Sequence, residues 1–151
     1  VRRALFASGL ALAAVLLAAP TIAAAGEKVI WAENLDEAWQ LAQEHQRPML
    51  VFVTRSNCKY CVRMKSQTYA NEQVAREVNN RFVPVMVNSQ TAQQLVKKLD
   101  IKSFPTTLVI TPDYYIVEQV KGYVSPTELY RRLGTCEERI AQLPATASNL
   151  K

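Results

Sequence analysis

The chain has 151 residues, 49% of them hydrophobic and 21% charged, which suits one globular domain with its own core, and nothing suggests a second. Its 18 basic and 13 acidic residues leave a net charge of +5. With no basic run and no basic patch interleaved with aromatics, nucleic acid is not an expected partner.

Residues 1–25 read as an address rather than as part of the fold. Arg2 and Arg3 give a positive start, Ala4 to Ala25 carries no charge, and Ala23 and Ala25 fit a small-x-small cleavage pattern. The expected products are a signal peptide over 1–25 and a mature chain from Gly26. A membrane anchor is the rival, since about 20 apolar residues can span a bilayer. The abundance of Ala, with Ser8, Gly9, Pro20 and Thr21, argues for the cleaved leader. Cleavage removes two of the 18 basic residues and none of the 13 acidic ones, so the balance falls from +5 to +3. Export would place the thiols where disulfides persist.

In the mature chain, Asn34 to Gln46 has Leu35, Ala38, Trp39, Leu41 and Ala42 at helical spacing, with Asn34 as N-cap, Glu37 three residues on and Pro48 as a stop. Met49 to Val53 is a continuous apolar run, as in a parallel strand buried on both faces. Cys61 to Asn80 is expected to be mostly helical, with a break near Thr68 to Asn71. Phe82 to Val87 reads as a second strand, placed towards an edge or with the missing N–H of Pro84 turned away from a partner.

Thr91 to Ile101 puts Ala92, Leu95, Val96 and Leu99 on one helical face. Thr106 to Ile110, a turn at Thr111 to Asp113, and Tyr114 to Val120 read as an antiparallel hairpin. Gly122 breaks that pattern. Ser125 then caps a last helix through about Leu133, with Pro126 at its first position and Glu128 completing a capping box. The domain is bounded at 26–141, and 142–151 reads as a disordered tail. The order of elements gives an α/β fold with a central mixed sheet flanked by helices.

The chemistry concentrates in "RSNCKYCVRM", where Cys58 and Cys61 lie three positions apart in a chain with three cysteines. Tetrahedral zinc needs four ligands, and only Cys136 and the lone His45 could add to the pair; His45 sits at a charged helix end, QEHQRP, and reads as a solvated surface residue, so a metal centre is not expected. As a structural staple the pair would close too short a loop to remove much chain entropy. A redox couple fits the position, because the cysteines follow a buried strand and open a helix. There the backbone N–H groups and the macrodipole favour a thiolate at Cys58, and Lys59 adds a cation. Cys58 should be the exposed nucleophile and Cys61, one turn deeper, the resolving thiol. Cys136 reads as a partly buried passenger, with a third redox thiol or an intermolecular link as alternatives.

The strand "PMLVFV", then "CKYC", then "SFPTTLVI", then "VKGYVSPTELYRRL" together resemble the thioredoxin family over nearly all of residues 30–134. The stretch from Arg47 to Asn88 is similar to the C-terminal periplasmic domain of the bacterial thiol reductase DsbD and its free-standing relatives. The resemblance implies a thioredoxin fold, a cis-Pro105 beside the cysteines, and a Phe104 that offers its backbone to an extended substrate, with Lys59 and Tyr60 also meeting it. It implies a periplasmic thiol-disulfide oxidoreductase, reduction being the favoured direction, with no cofactor. Its partners would be protein disulfides and a membrane or soluble thiol donor. A peptide-binding module, or a disulfide isomerase or oxidase, is the alternative.

Three positions depart from the family pattern. Asn57 replaces the Trp that usually precedes the first cysteine. Phe52 stands where many thioredoxins bury a carboxylate. Lys59-Tyr60 replaces Gly-Pro between the cysteines.

Overall fold

The computed structural model describes residues 26–143, so the expected leader and residues 144–151 of the expected tail lie outside the described residues. The first helix, α1 (Leu35–His45), starts as its sequence dictates: the Asn34 side chain accepts from the Glu37 N–H at 2.9 Å. Gln46 closes it in the left-handed conformation, and β1 (Met49–Thr54) follows at once.

β1 is the centre of the sheet, whose order is β2-β1-β3-β4, with β2 (Val83–Asn88) parallel to it and β3 (Thr106–Ile110) antiparallel. β4 (Ile116–Lys121) pairs antiparallel with β3 and forms the far edge. Alternation along β1 divides its side chains between two cores. Leu50 and Phe52 face one with Val74, Val78, Leu129 and Leu133, while Met49, Val51 and Val53 face the other with Ala38, Ala42, Leu108 and Ile110. A strand buried on both faces has no use for polar residues, which is why Met49 to Val53 reads as unbroken apolar sequence.

β2 lies beside β1 at the other side of the sheet, where Pro84 is tolerated. Its carbonyl accepts from the Ala32 N–H at 2.8 Å on the outer side, so the proline nitrogen also points outward and costs β1 no ladder bond.

Between β1 and β2 the chain is helical in three pieces. α2 (Lys59–Arg63) runs into one π-helical turn (Met64–Thr68), and α3 (Glu72–Arg81) restarts under an N-cap from Asn71, which accepts from the N–H groups of Gln73 and Val74. The break expected near Thr68 to Asn71 is therefore present, and the wide turn before it delivers Met64, Thr68 and Tyr69 to the interior. Tyr69 packs against Phe52 with ring centroids 4.7 Å apart and against Trp31 at 5.0 Å, and its hydroxyl is bonded to that of Thr107 at 2.7 Å.

Three boundaries differ from the sequence reading. α4 is confined to Gln93–Lys98 and has no side-chain cap, so its ends are short of the apolar pattern that suggested it. β4 starts at Ile116 because Tyr114, at φ 69, still belongs to the turn. α5 (Pro126–Gly134) has its Ser125 cap, but the Glu128 carboxylate turns to Arg131 and Arg132, both at 2.7 Å. Charged partners win over a neutral backbone N–H, which leaves half of the expected capping box unmade.

A further helix, α6 (Cys136–Ala141), follows α5 directly. It is tied to β4 through Glu118, a nearly buried carboxylate that meets Arg132 at 3.2 Å and also pairs with Arg139. Cys136 itself is wholly buried in the core, its sulfur 3.5 Å from the Arg132 carbonyl. Burial, with the nearby Glu118 charge, pushes this thiol up to about 11.

Because the folded value is raised, the protonated thiol's contribution is complete below the unfolded value of about 8.5 and is lost as pH rises towards the folded one. In disulfide-intact protein at pH 8, a neutral thiol reagent should modify Cys136 about 100-fold more slowly than in denaturant, with the protection shrinking as pH climbs. Modification of the native protein at the unfolded rate would show that the thiol is accessible.

Candidate active site

The carboxyl ends of β1, β2 and β4 and the amino end of β3 lie at one end of the sheet, since Val53 is opposite Thr106 and Thr106 is opposite Lys121. Four loops therefore converge there: residues 55–58, 88–92, 103–105 and 122–124. Ser56 is fastened to the second of these through Gln90 and Asn88. Asn57, at φ 57, turns the chain into α2, a left-handed position that Asn occupies more readily than most residues and that Trp would not favour.

Cys58 is the N-cap of α2, and its sulfur accepts from the Cys61 N–H at 3.2 Å. The two cysteines form a disulfide, S–S 2.15 Å, with Cys58 half-buried and Cys61 only 4% exposed. A thiolate formed at Cys58 on reduction would keep that N–H donor and sit at the positive end of the helix. Cys61 lies on the inner side of the same turn.

The other expected site residues lie on the first turn of α2 and in the loop before β3. Lys59 and Tyr60 are exposed on the first turn of α2, Tyr60 to 50% of its surface. The Phe104–Pro105 peptide bond is cis, Pro105 is buried, and its carbonyl accepts from the Gly122 N–H at 2.7 Å. Gly122, at φ +82, allows β4 to end in the turn that makes this contact and carries Tyr123 to the same end of the sheet. Phe104 is half-buried, and among the described residues its backbone N–H and C=O form no hydrogen bond.

Sequence reasoning missed Arg55 and the Arg63–Tyr123 pair. The Arg55 guanidinium lies 5.3 Å from the centre of the Phe104 ring, and that of Arg63 lies 4.3 Å from Tyr123. Gln67 joins the second pair by accepting from Arg63 Nε and the Tyr123 hydroxyl. Nothing in residue spacing links 63 to 123; only the fold does. Phe52 is fully buried, its opposite neighbour on β3 is Thr107, and its ring packs against those of Trp31 and Tyr69.

Known proteins share this fold. The family model described as a thioredoxin-like domain matches residues 35–136. Anterior gradient protein 3 of Mus musculus is 22% identical over 126 residues, covering 83% of this chain and 72% of that protein. Among solved structures, DsbH oxidoreductase superposes with a TM-score of 0.67 at 18% identity, covering 84% of this chain and 95% of the other. A thioredoxin from Thermus thermophilus gives 0.64 at 23% identity, covering 79% and 98%. The reduced C-terminal domain of Neisseria meningitidis DsbD gives 0.56 at 20%, covering 65% and 89%. The family match takes in β1, the disulfide and Pro105 together, and the chain belongs to the thioredoxin-like domain family, with the Cys58–Cys61 pair of a thiol-disulfide oxidoreductase.

Proposed function

We propose that the protein is an exported oxidoreductase that reduces disulfides in protein clients, and the observation that carries this is a CxxC disulfide whose outer sulfur caps a helix. In the reduced protein the Cys58 thiolate attacks one sulfur of a client disulfide, forming a mixed disulfide and expelling a client thiolate. Cys61, as thiolate, then attacks the Cys58 sulfur, restoring the Cys58–Cys61 bond and expelling the second client thiolate. Two electrons pass to the client, the released thiolates take up protons, and an external dithiol returns the pair to its reduced form. Run in reverse, the same steps donate a disulfide. The direction assigned here follows the likeness of residues 47–88 to the DsbD C-terminal domain.

The client is held as an extended segment. Phe104 supports this reading because its free N–H and C=O are what a passing strand would pair with. Pro105 sets that edge beside the sulfurs, and Lys59 and Tyr60 border it. Cys61→Ser is expected to accumulate mixed disulfides with exported proteins, while Cys58→Ser traps almost none. Equal trapping by both variants, or by neither, would refute the roles assigned to them.

Residues 1–25 act in this reading as a signal peptide for delivery to the periplasm, with residues 26–141 as the working domain. The intact mass of native material should correspond to a chain starting at or near Gly26. Recovery of residues 4–25 in the membrane fraction would make it an anchored protein instead.

Phe52 should set the pace of the second step. Making the Cys61 thiolate means creating a charge on a sulfur only 4% exposed, and Phe52 offers no group to take its proton. The Tyr69 and Thr107 hydroxyls are occupied with each other, and burial raises the Tyr69 ionisation further out of reach. Decay of a preformed Cys58 mixed disulfide should accelerate with pH between 6 and 9, and Phe52→Asp should flatten that dependence and speed release. The substitution should also cost a few kcal/mol of stability, because a ring is lost and a polar group is buried. Equal decay in the two folded proteins would mean that another group or water already serves as base.

A further inference from the structure

We propose that the face around Cys58 selects clients in which carboxylates flank the cysteine to be exchanged, a reading that rests on the disulfide-exchange function above. Between Glu44 and Glu72 the chain contains no acidic residue, yet it carries Arg47, Arg55, Lys59, Arg63 and Lys65. Three of these belong to the segment that bears the disulfide, and each lies over an aromatic ring. Arg55 is 5.3 Å from the Phe104 centroid, Lys59 is 5.4 Å from Tyr60, and Arg63 is 4.3 Å from Tyr123.

Stacking on a ring holds a cation in place without neutralising it. Among the described residues, none of the three forms a salt bridge, whereas Arg76, Arg81, Arg131, Arg132 and Arg139 are all paired with carboxylates. The one acidic residue close to Phe104 in the chain, Asp100, is already bound to Lys102 at 2.9 Å. Lys121, exposed where β4 reaches the same end of the sheet, adds another unpaired cation. Of the described arginines, only Arg47, Arg55 and Arg63 have no carboxylate partner, and Arg47 is given to the carbonyls of Asn79 and Phe82, so Arg55 and Arg63 are the two left open to an external carboxylate.

The two arginines come from different elements, Arg55 from the loop before Cys58 and Arg63 from the end of α2. Arg55 belongs with Phe104, and Arg63 belongs with Tyr123 beyond Gly122, whose N–H is bonded to Pro105. A strand paired with Phe104 would run between them. A guanidinium resting on a ring keeps edge N–H groups that match a carboxylate; Arg63 gives its Nε–H to Gln67 and would use its terminal NH2 groups. Acidic side chains on either side of the client cysteine would meet one arginine each. Like charges near the cysteine would be repelled.

The test uses three disulfide-bonded peptide pairs that differ only in residues beside the cysteine: Glu, Ser or Lys. Each rate of exchange with the reduced full-length protein is divided by that peptide's rate with dithiothreitol, which removes intrinsic differences in the client thiol. At low salt the Glu pair should react about 10-fold faster than the Lys pair, and the advantage should collapse as added salt screens the charges. Arg55→Glu with Arg63→Glu should abolish or invert the preference. Alkylation of Cys58 by neutral iodoacetamide, measured in parallel, separates an altered thiol from altered docking. Equal normalised rates, or a preference that survives charge reversal, would overturn the proposal alone. So would binding to anionic lipid vesicles without any peptide preference. No exchange with any of the three peptides would overturn the oxidoreductase reading and this one with it.

Discussion

The structure depends on the burial of β1 on both faces. Leu50 and Phe52 anchor one core and Met49, Val51 and Val53 the other, so a slip of one residue would exchange the two sets and misfit both. That fixed register determines where Thr54 ends, and therefore where the loop to Cys58 begins. It also fixes Thr106 opposite Val53, which puts Pro105 beside the same loop. The positions of both cysteines and the proline are thus consequences of packing deep in the sheet, away from any sulfur.

Around Phe52 the interior is aromatic. Trp31, Phe52 and Tyr69 form one cluster, and the single polar contact within it joins two hydroxyls. The nearly buried carboxylate of the domain, Glu118, sits on β4 and is committed to Arg132 and Arg139, where it fastens α5 and α6 to the sheet. Charge that could assist thiol chemistry is instead arranged outside, on Arg55, Lys59 and Arg63. Aromatic rings fill the inside, and Arg55, Lys59 and Arg63 lie on the segment that carries the disulfide.

Much of this was legible in residue order. The unbroken apolar run of β1, the Asn34 and Ser125 caps, the outward-facing Pro84 and the CxxC at a helix start all rest on local rules, and local contacts realise them. The π-helical turn was not legible, because a wide turn leaves the same polar and apolar spacing as a frayed helix. α6 was missed because its hold on the domain comes from Glu118 and a buried Cys136, contacts made across the fold rather than along the helix. At the site, the cysteine pair was evident from spacing. The Arg63–Tyr123 and Arg55–Phe104 stacks join residues far apart in sequence, so they emerge only once the loops have converged.

The central claim is that Cys58 and Cys61 turn over as a redox couple on protein disulfides, rather than serving as a fixed link in a peptide-binding surface. Reduction of insulin by dithiothreitol, followed by the turbidity of its released chain, tests this directly. The account predicts that catalytic amounts of the mature protein shorten the lag and raise the rate, and that Cys58→Ser removes the effect. No acceleration by the folded wild-type protein, or acceleration that persists in Cys58→Ser, would contradict it.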